Sequence, residues 1–303
     1  MIKTILITGG TGLLGKPLVK KLIDKGYQIH LLSRSNLPET PGVRVFDWDI
    51  YNQKIDADCI VGVDAIIHLV GEGIAEKPWT NKRKKQIIES RTVSIRLIYG
   101  LLKNNPNHQV KHVISASAVG YYSDRGYELL TEDSSPNNDF LAHSCVEWEK
   151  AVDEGMALGL RIVKFRTGIV LSDLGGALPQ LDKTIKLNIG SPLANGKQWI
   201  SWIHLNDAVN MYLFAIENPD LHGAYNMAAP NPATNKQLTE AIAKELNKVL
   251  WAPNVPKFVL RVILGKMVTA VIGSTKVSVD KIQEAGFKFN YPDLEGTLHN
   301  LYA

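Results

Sequence analysis

The sequence is short of several things. It has two cysteines, Cys59 and Cys145, in 303 residues. That is too few for a disulfide framework or a cysteine metal set, so no metal is expected and a reducing cytoplasm is the expected setting. No apolar stretch approaches the roughly 20 residues of a membrane span, so no membrane is expected. The opening run Ile5-Leu6-Ile7 is too short for a signal peptide. The net charge is only +4, which does not point to nucleic acid and suits a small anionic ligand. Repeats and low-complexity tracts are missing. What remains is ordinary for an enzyme, with 45% hydrophobic and 21% charged residues. The length suits one large domain, or one with a smaller lobe.

Thr8-Gly9-Gly10-Thr11-Gly12-Leu13-Leu14-Gly15 carries the most information. It follows an apolar run and leads into Leu18, Val19, Leu22 and Ile23 at helical spacing, which reads as strand, glycine turn, helix. Such a turn sets backbone N–H groups and a helix N-terminus against a phosphate. Further strands are expected at Ile29–Leu32, Val43–Phe46, Ala65–Val70, Val113–Ala116 and Arg161–Phe165. Helices are expected from about Leu13 to Lys25, Trp79 to Leu102 and Phe140 to Met156. Strands alternating with helices predict an α/β fold, a Rossmann-type doubly wound parallel sheet whose ligands lie beyond the carboxyl ends of the strands. After Phe165, Gly175-Gly176, Ser191-Pro192 and Asn195-Gly196 break the rhythm. A strand at Trp199–Ile203 and helices at Asn206–Glu217 and Asn235–Lys248 follow. The expected division is a cofactor domain over 1–167, with 198–227 returning to it, and a smaller substrate lobe from 168–197 and 228–303.

The second strand ends Leu31-Leu32-Ser33-Arg34. An NAD site usually carries an acid here, to accept from the ribose 2′-hydroxyl. A hydroxyl and a guanidinium suit a 2′-phosphate instead, so NADP(H) is the expected cofactor. After the third strand, Asp49 is placed to accept from the adenine amino group, and Trp48 either covers that ring or fills the core.

These motifs occur in order with His68-Leu69-Val70-Gly71, Ser115-Ala116-Ser117 and Trp202-Ile203-His204-Leu205-Asn206-Asp207. Together they resemble the extended short-chain dehydrogenase/reductase superfamily of sugar-nucleotide epimerases and dehydratases. Three stretches resemble its atypical epimerase-like branch: Ser115–Tyr122, Asp139–Ala142 and Gly286–Pro292. The resemblance covers essentially the whole chain. It implies that Leu69, Val70 and Gly71 line the cofactor, that Ser115 and Ala116 lie near the nicotinamide ribose, and that Gly168 and Ile169 approach the carboxamide. It implies a further polar contact from Arg91. The two long helices resemble those that superfamily members use for dimers, which makes a homodimer one candidate assembly and leaves the oligomeric state open.

The superfamily's Tyr-x-x-x-Lys is not matched. Aligning Glu149 puts Leu141 in the tyrosine slot and Cys145 in the lysine slot, and neither can do the usual proton chemistry. Ser117 stands where the superfamily keeps a substrate-orienting hydroxyl. Tyr121 and Tyr122 are candidate replacement phenols, each equally able to be aromatic lining. His143 is a candidate acid only if it faces the pocket. Lys82-Arg83-Lys84-Lys85 reads as a solvated face or as help for a phosphorylated substrate. The expected function is an NADP(H)-dependent oxidoreductase or epimerase-like enzyme acting on a small molecule, of which a sugar nucleotide is one candidate. The alternative is an NADPH-binding sensor or interaction protein without turnover.

Overall fold

The computed structural model describes residues 2–35, 37–38 and 40–303. In chain order the strands are β1 (Thr4–Thr8), β2 (Gln28–Ser33), β3 (Val43–Asp49), β4 (Lys54–Ile55), β5 (Ala65–His68), β6 (His112–Ala118), β7 (Leu129–Leu130), β8 (Arg161–Thr167), β9 (Ile169–Leu171), β10 (Trp199–Ile200), β11 (Trp202–His204), β12 (Gly223–Met227), β13 (Ala233–Thr234) and β14 (Lys276–Val277). The helices are α1 (Gly15–Asp24), α2 (Asn81–Asn104), α3 (Phe140–Asp153), α4 (Leu178–Lys186), α5 (Leu205–Glu217), α6 (Asn235–Glu245), α7 (Lys257–Leu264), α8 (Val268–Ile272), α9 (Asp280–Glu284) and α10 (Leu294–Tyr302).

Eight strands form the main sheet in the order β12-β8-β6-β5-β1-β2-β3-β4, all parallel except β4. The alternation along β1 shows how both faces are covered. Ile5 and Ile7 join one core with Leu18 and Leu22 of α1 and with the apolar side of α5, whereas Leu6 joins the opposite core with Ile95, Ile98 and Leu102 of α2 and Trp148 of α3. Strands buried on both sides read as continuous apolar runs, which is why the sheet centre is legible in sequence. The fold is the expected doubly wound α/β sandwich. The edge strand β12 has no such run: its Asn226 is fully buried.

A third core is built around Leu171, Leu178, Trp202, Leu238, Ile242 and Leu298. Val277, Ile282 and Phe287, from the C-terminal stretch, pack into the main-sheet core. No helix among the described residues is long and apolar enough to cross a membrane. Neither α2 nor α3 holds a fully exposed large hydrophobic side chain.

His68, at the end of β5, is fully buried, and Trp148 Nε1 donates to its Nδ1 at 3.4 Å. The imidazole proton therefore sits on Nε2, 2.8 Å from Ser94 Oγ. Burial, reinforced by Arg91, lowers its pKa to about 3. A histidine held neutral in the fold but free to charge when unfolded, near its usual 6.5, stabilises the fold above that pH and loses this contribution as pH falls. Between pH 7 and pH 5 the loss from His68 is about 2 kcal/mol. Urea unfolding at both pH values checks it: His68→Asn is expected to show a smaller acid loss, and an unchanged loss would exclude His68 as its source.

Candidate functional site

Because the sheet is parallel, the carboxyl ends of β2, β1, β5, β6 and β8 lie along one edge. The glycine turn sits at its middle. Gly9 has φ +71°, and a Cβ there would lie 2.9 Å from Val70 N. A Cβ on Gly15 would lie 2.2 Å from Gly9 O, so α1 leaves the turn pressed against the strand end. Gly12 is different. A Cβ there meets only Gly9 O, at 3.3 Å, and its own N–H closes the turn on that oxygen at 3.0 Å. The protein explains Gly9 and Gly15 but does not crowd Gly12, which faces the open edge. No side chain caps the N-terminus of α1, and its first turn holds no acid. Those features fit a pyrophosphate approaching backbone N–H groups.

The walls follow from the strand ends. Thr8 Oγ1 accepts from the backbone N–H groups of Leu69 and Val70 at 3.1 and 3.2 Å, joining β5 to β1 beside the turn. Thr11 and Gly71 are exposed there, and Leu13, Leu14, Leu69 and Val70 are half-buried. Leu13 lies beneath Gly175 and Gly176. Gly168 lets β9 meet β11: a Cβ there would lie 2.3 Å from Ser201 O, and Ile169 N donates to that oxygen at 2.8 Å. At the far end, Arg34 is exposed above an open cleft of about 800 Å³ shared with Trp48, Asp49, Tyr51 and Lys54. Ser33 is buried, and its hydroxyl is tied to the Ser35 backbone.

Several of the expected polar side chains are engaged by other parts of the protein. Asp49 caps its own turn: its carboxylate accepts from the Asn52 side chain and from the backbone of Tyr51 and Asn52, and these bonds, the Asn52 amide first, lower its pKa. Trp48 is a core residue. Arg91 lies behind the β5 loop. It donates to Ile87 O at 2.7 Å and Glu72 O at 3.0 Å, its guanidinium lies 4.9 Å from the Trp148 ring centre, and burial lowers its pKa to about 10. Ser115 is fully buried against His68, while Ala116 on the opposite pleat face is half-exposed. Arg83, from the basic run, is buried and holds Glu72.

The largest departure concerns Ser117 and Tyr122. Ser117 Oγ donates to Glu149 Oε1 at 2.7 Å, inside the protein. Arg166 of β8 grips both oxygens of Glu149, at 2.8 and 3.0 Å, and donates to the Tyr122 hydroxyl at 2.9 Å. That hydroxyl donates in turn to Asn226 Oδ1 at 2.8 Å. Tyr122 is fully buried, and burial pushes its pKa up to about 12. It is a structural phenol, a correction to its candidacy as acid. Burial opposes the Arg166 charge, yet the Glu149 carboxylate more than offsets this and raises the Arg166 pKa. Tyr121 is only half-buried, with its ring face 3.6 Å from the Arg166 guanidinium. His143 points to solvent. Leu141 and Cys145 are buried beside Gly120, and burial raises the Cys145 thiol to about 12.

Comparison with known proteins places the chain. The model of the NAD dependent epimerase/dehydratase family matches residues 5–228. The chain belongs to that family. A domain of unknown function, DUF1731, matches residues 255–301. Among curated relatives, Epimerase family protein YfhF of Bacillus subtilis is 35% identical over 99% of this chain and 98% of its own length. The chloroplastic Epimerase family protein SDR39U1 homolog of Arabidopsis thaliana is 32% identical over 97% of this chain and 85% of its own. Among solved structures, the human epimerase family protein SDR39U1 with NADPH superposes with TM-score 0.84 at 25% identity, covering 99% of both chains. The nucleoside-diphosphate sugar epimerase of Corynebacterium glutamicum superposes with TM-score 0.81 at 30% identity, and this chain spans 58% of it. This family member is thus a nucleotide-binding, epimerase-like protein.

Sequence reasoning missed Glu72 and Arg166, and it read Arg83 within a basic run rather than as the buried partner of Glu72. Glu72 had a signal, an acid directly after the apolar end of β5 at the carboxyl edge. Arg166 had a weaker one, a cation interrupting a buried strand.

Proposed function

We propose that the chain binds NADP(H) along the carboxyl edge of its sheet and acts as an oxidoreductase or epimerase on a hydroxyl- or carbonyl-bearing carbon of a small substrate, with a sugar nucleotide as the leading candidate. The observation that carries the reading is the uncapped, acid-free N-terminus of α1 behind the uncrowded Gly12, with exposed Arg34 at the end of β2. The NADPH in the human relative supports it. When bound, the nicotinamide supplies or accepts the hydride. Leu69, Val70 and Ile169 give that end of the groove apolar walls. Among the three candidate hydroxyls, Ser117 donates to Glu149 and Tyr122 donates to Asn226, whereas among the described residues no hydrogen bond engages that of Tyr121. That difference favours Tyr121, of the three, as the group that passes a proton to or from the substrate oxygen.

The test combines binding and turnover. NADPH is expected to raise the melting temperature more than NADH, and Arg34→Ala to weaken NADPH about tenfold and remove the difference. Equal shifts in the wild type would overturn the 2′-phosphate assignment. With a panel of carbonyl substrates, Tyr121→Phe is expected to lower NADPH oxidation at least tenfold without changing coenzyme binding. Full activity in that variant would remove Tyr121 from the chemistry. A second reading, coenzyme binding without turnover, is favoured by the buried, uncharged Leu141 and Cys145 where the resemblance places tyrosine and lysine. Absence of turnover across the panel, with NADPH bound, would support it.

A further inference from the structure

Three elements converge on one carboxylate beside Arg34. Glu72 is the first residue past Leu69-Val70-Gly71, on the loop that leaves β5. Arg83 reaches back from the first turn of α2, with Nη1 2.8 Å from Glu72 Oε2 and Nη2 donating to Gly73 O at 2.7 Å. Tyr51, from the turn after β3, donates its hydroxyl to Glu72 Oε1 at 3.3 Å. Arg34 Nη1 stands 3.8 Å from the same oxygen. Arg83 is buried and fixes the carboxylate, whereas Arg34 is mostly exposed and free to turn.

We propose that Glu72 is a coenzyme-selecting residue: it supplies, from the β5 loop, the acid that the end of β2 lacks. The proposal rests on the NADP(H)-binding reading above. A fixed carboxylate next to Arg34 acts in two directions. It accepts from a ribose 2′-hydroxyl, which favours NAD(H). It also repels a 2′-phosphate and competes with it for the Arg34 guanidinium, which disfavours NADP(H). Arg34 and Glu72 therefore oppose each other across a few ångströms, and the site's preference for NADP(H) is held below what Arg34 alone would give. The Glu72–Arg83 contact keeps the carboxylate in place, because Arg83 has little freedom to follow the coenzyme.

The experiment is a fluorescence titration of wild type and Glu72→Gln with NADPH and with NADH. The variant is expected to bind NADPH about tenfold tighter, because one negative charge is removed beside a phosphate at a solvent-accessible site. It is expected to bind NADH about threefold more weakly, through loss of a charged acceptor. The NADPH gain is expected to shrink at high salt. If both coenzymes change by the same factor, or neither changes, Glu72 does not select and the proposal is overturned. If Glu72→Gln does not fold, because Arg83 loses the nearer of its two carboxylates, Glu72→Gln/Arg83→Gln compared with Arg83→Gln isolates the same Glu72 charge. A wild type that binds neither coenzyme would overturn the functional reading, and this proposal with it. A wild type that binds both, beside an unresponsive variant, would overturn this proposal alone.

Discussion

Glu149→Ala is expected to destabilise the fold by about 3–5 kcal/mol, the usual consequence of deleting one partner of a buried ion pair. Both partners are nearly inaccessible, with Glu149 6% and Arg166 4% exposed. The guanidinium would keep its bonds to the Tyr122 hydroxyl and Glu132 O but lose its bidentate acceptor. Ser117 would lose its acceptor, and Lys164, 3.7 Å from Glu149, would keep its pair with Asp153. The measurement is a urea midpoint at unchanged slope. The pair Arg96–Glu154 supplies the control, since its hydrogen bonds are as short, at 2.6 to 3.1 Å, but lie at the surface. Arg96→Ala is expected to change stability by less than about 1 kcal/mol. Similar losses in the two variants would show that burial does not set the strength of this network.

Gly15→Ala is expected to damage both stability and coenzyme binding. The added methyl meets backbone on every near side: Gly9 O at 2.2 Å, Gly10 Cα at 2.6 Å and Gly10 C at 2.7 Å. Relief requires α1 to move off β1, at about 3 kcal/mol. The same movement withdraws the helix N-terminus from the coenzyme, so NADPH affinity is expected to fall more than tenfold. Gly12→Ala separates the two effects. Its methyl touches only Gly9 O at 3.3 Å, so stability is expected to stay within about 1 kcal/mol while NADPH affinity falls at least tenfold. A Gly12→Ala variant that binds NADPH normally would show that the coenzyme does not approach this turn.

The contrast between these two experiments explains what could be read from sequence. The glycine turn is a backbone device, and backbone devices leave glycine at fixed spacing; Gly9, Gly12 and Gly15 were legible for that reason. The sheet centre was legible because both faces are buried. Polar side chains were harder, because a strand turns its neighbours to opposite faces. Ser115 and Ser117 share the pleat face that meets α3, while Ala116 and Ala118 take the other. A motif fixes which strand end lies at the site but not which way each hydroxyl points. Tyr122 failed as a candidate for a related reason, since its partners Arg166 and Asn226 lie 44 and 104 residues away in sequence. The acid opposite Arg34 was missed because it comes from a different loop than the one that usually supplies it.

Asp207 has one further consequence. Its carboxylate, fully buried at the start of α5, accepts from the backbone N–H groups of Asn290 and Tyr291 at 3.0 and 2.9 Å, and His204 stacks on the Tyr291 ring with centroids 3.8 Å apart. The two regions recognised by family models, 5–228 and 255–301, are thus fastened to each other by a clasp whose halves lie one in each. A cut in the stretch between them would strand an anionic group in the interior of one fragment and leave the other without the surface that shapes it. The seam visible to sequence comparison is crossed by buried contacts, with Val277, Ile282 and Phe287 packed into the main-sheet core beside the Asp207 clasp.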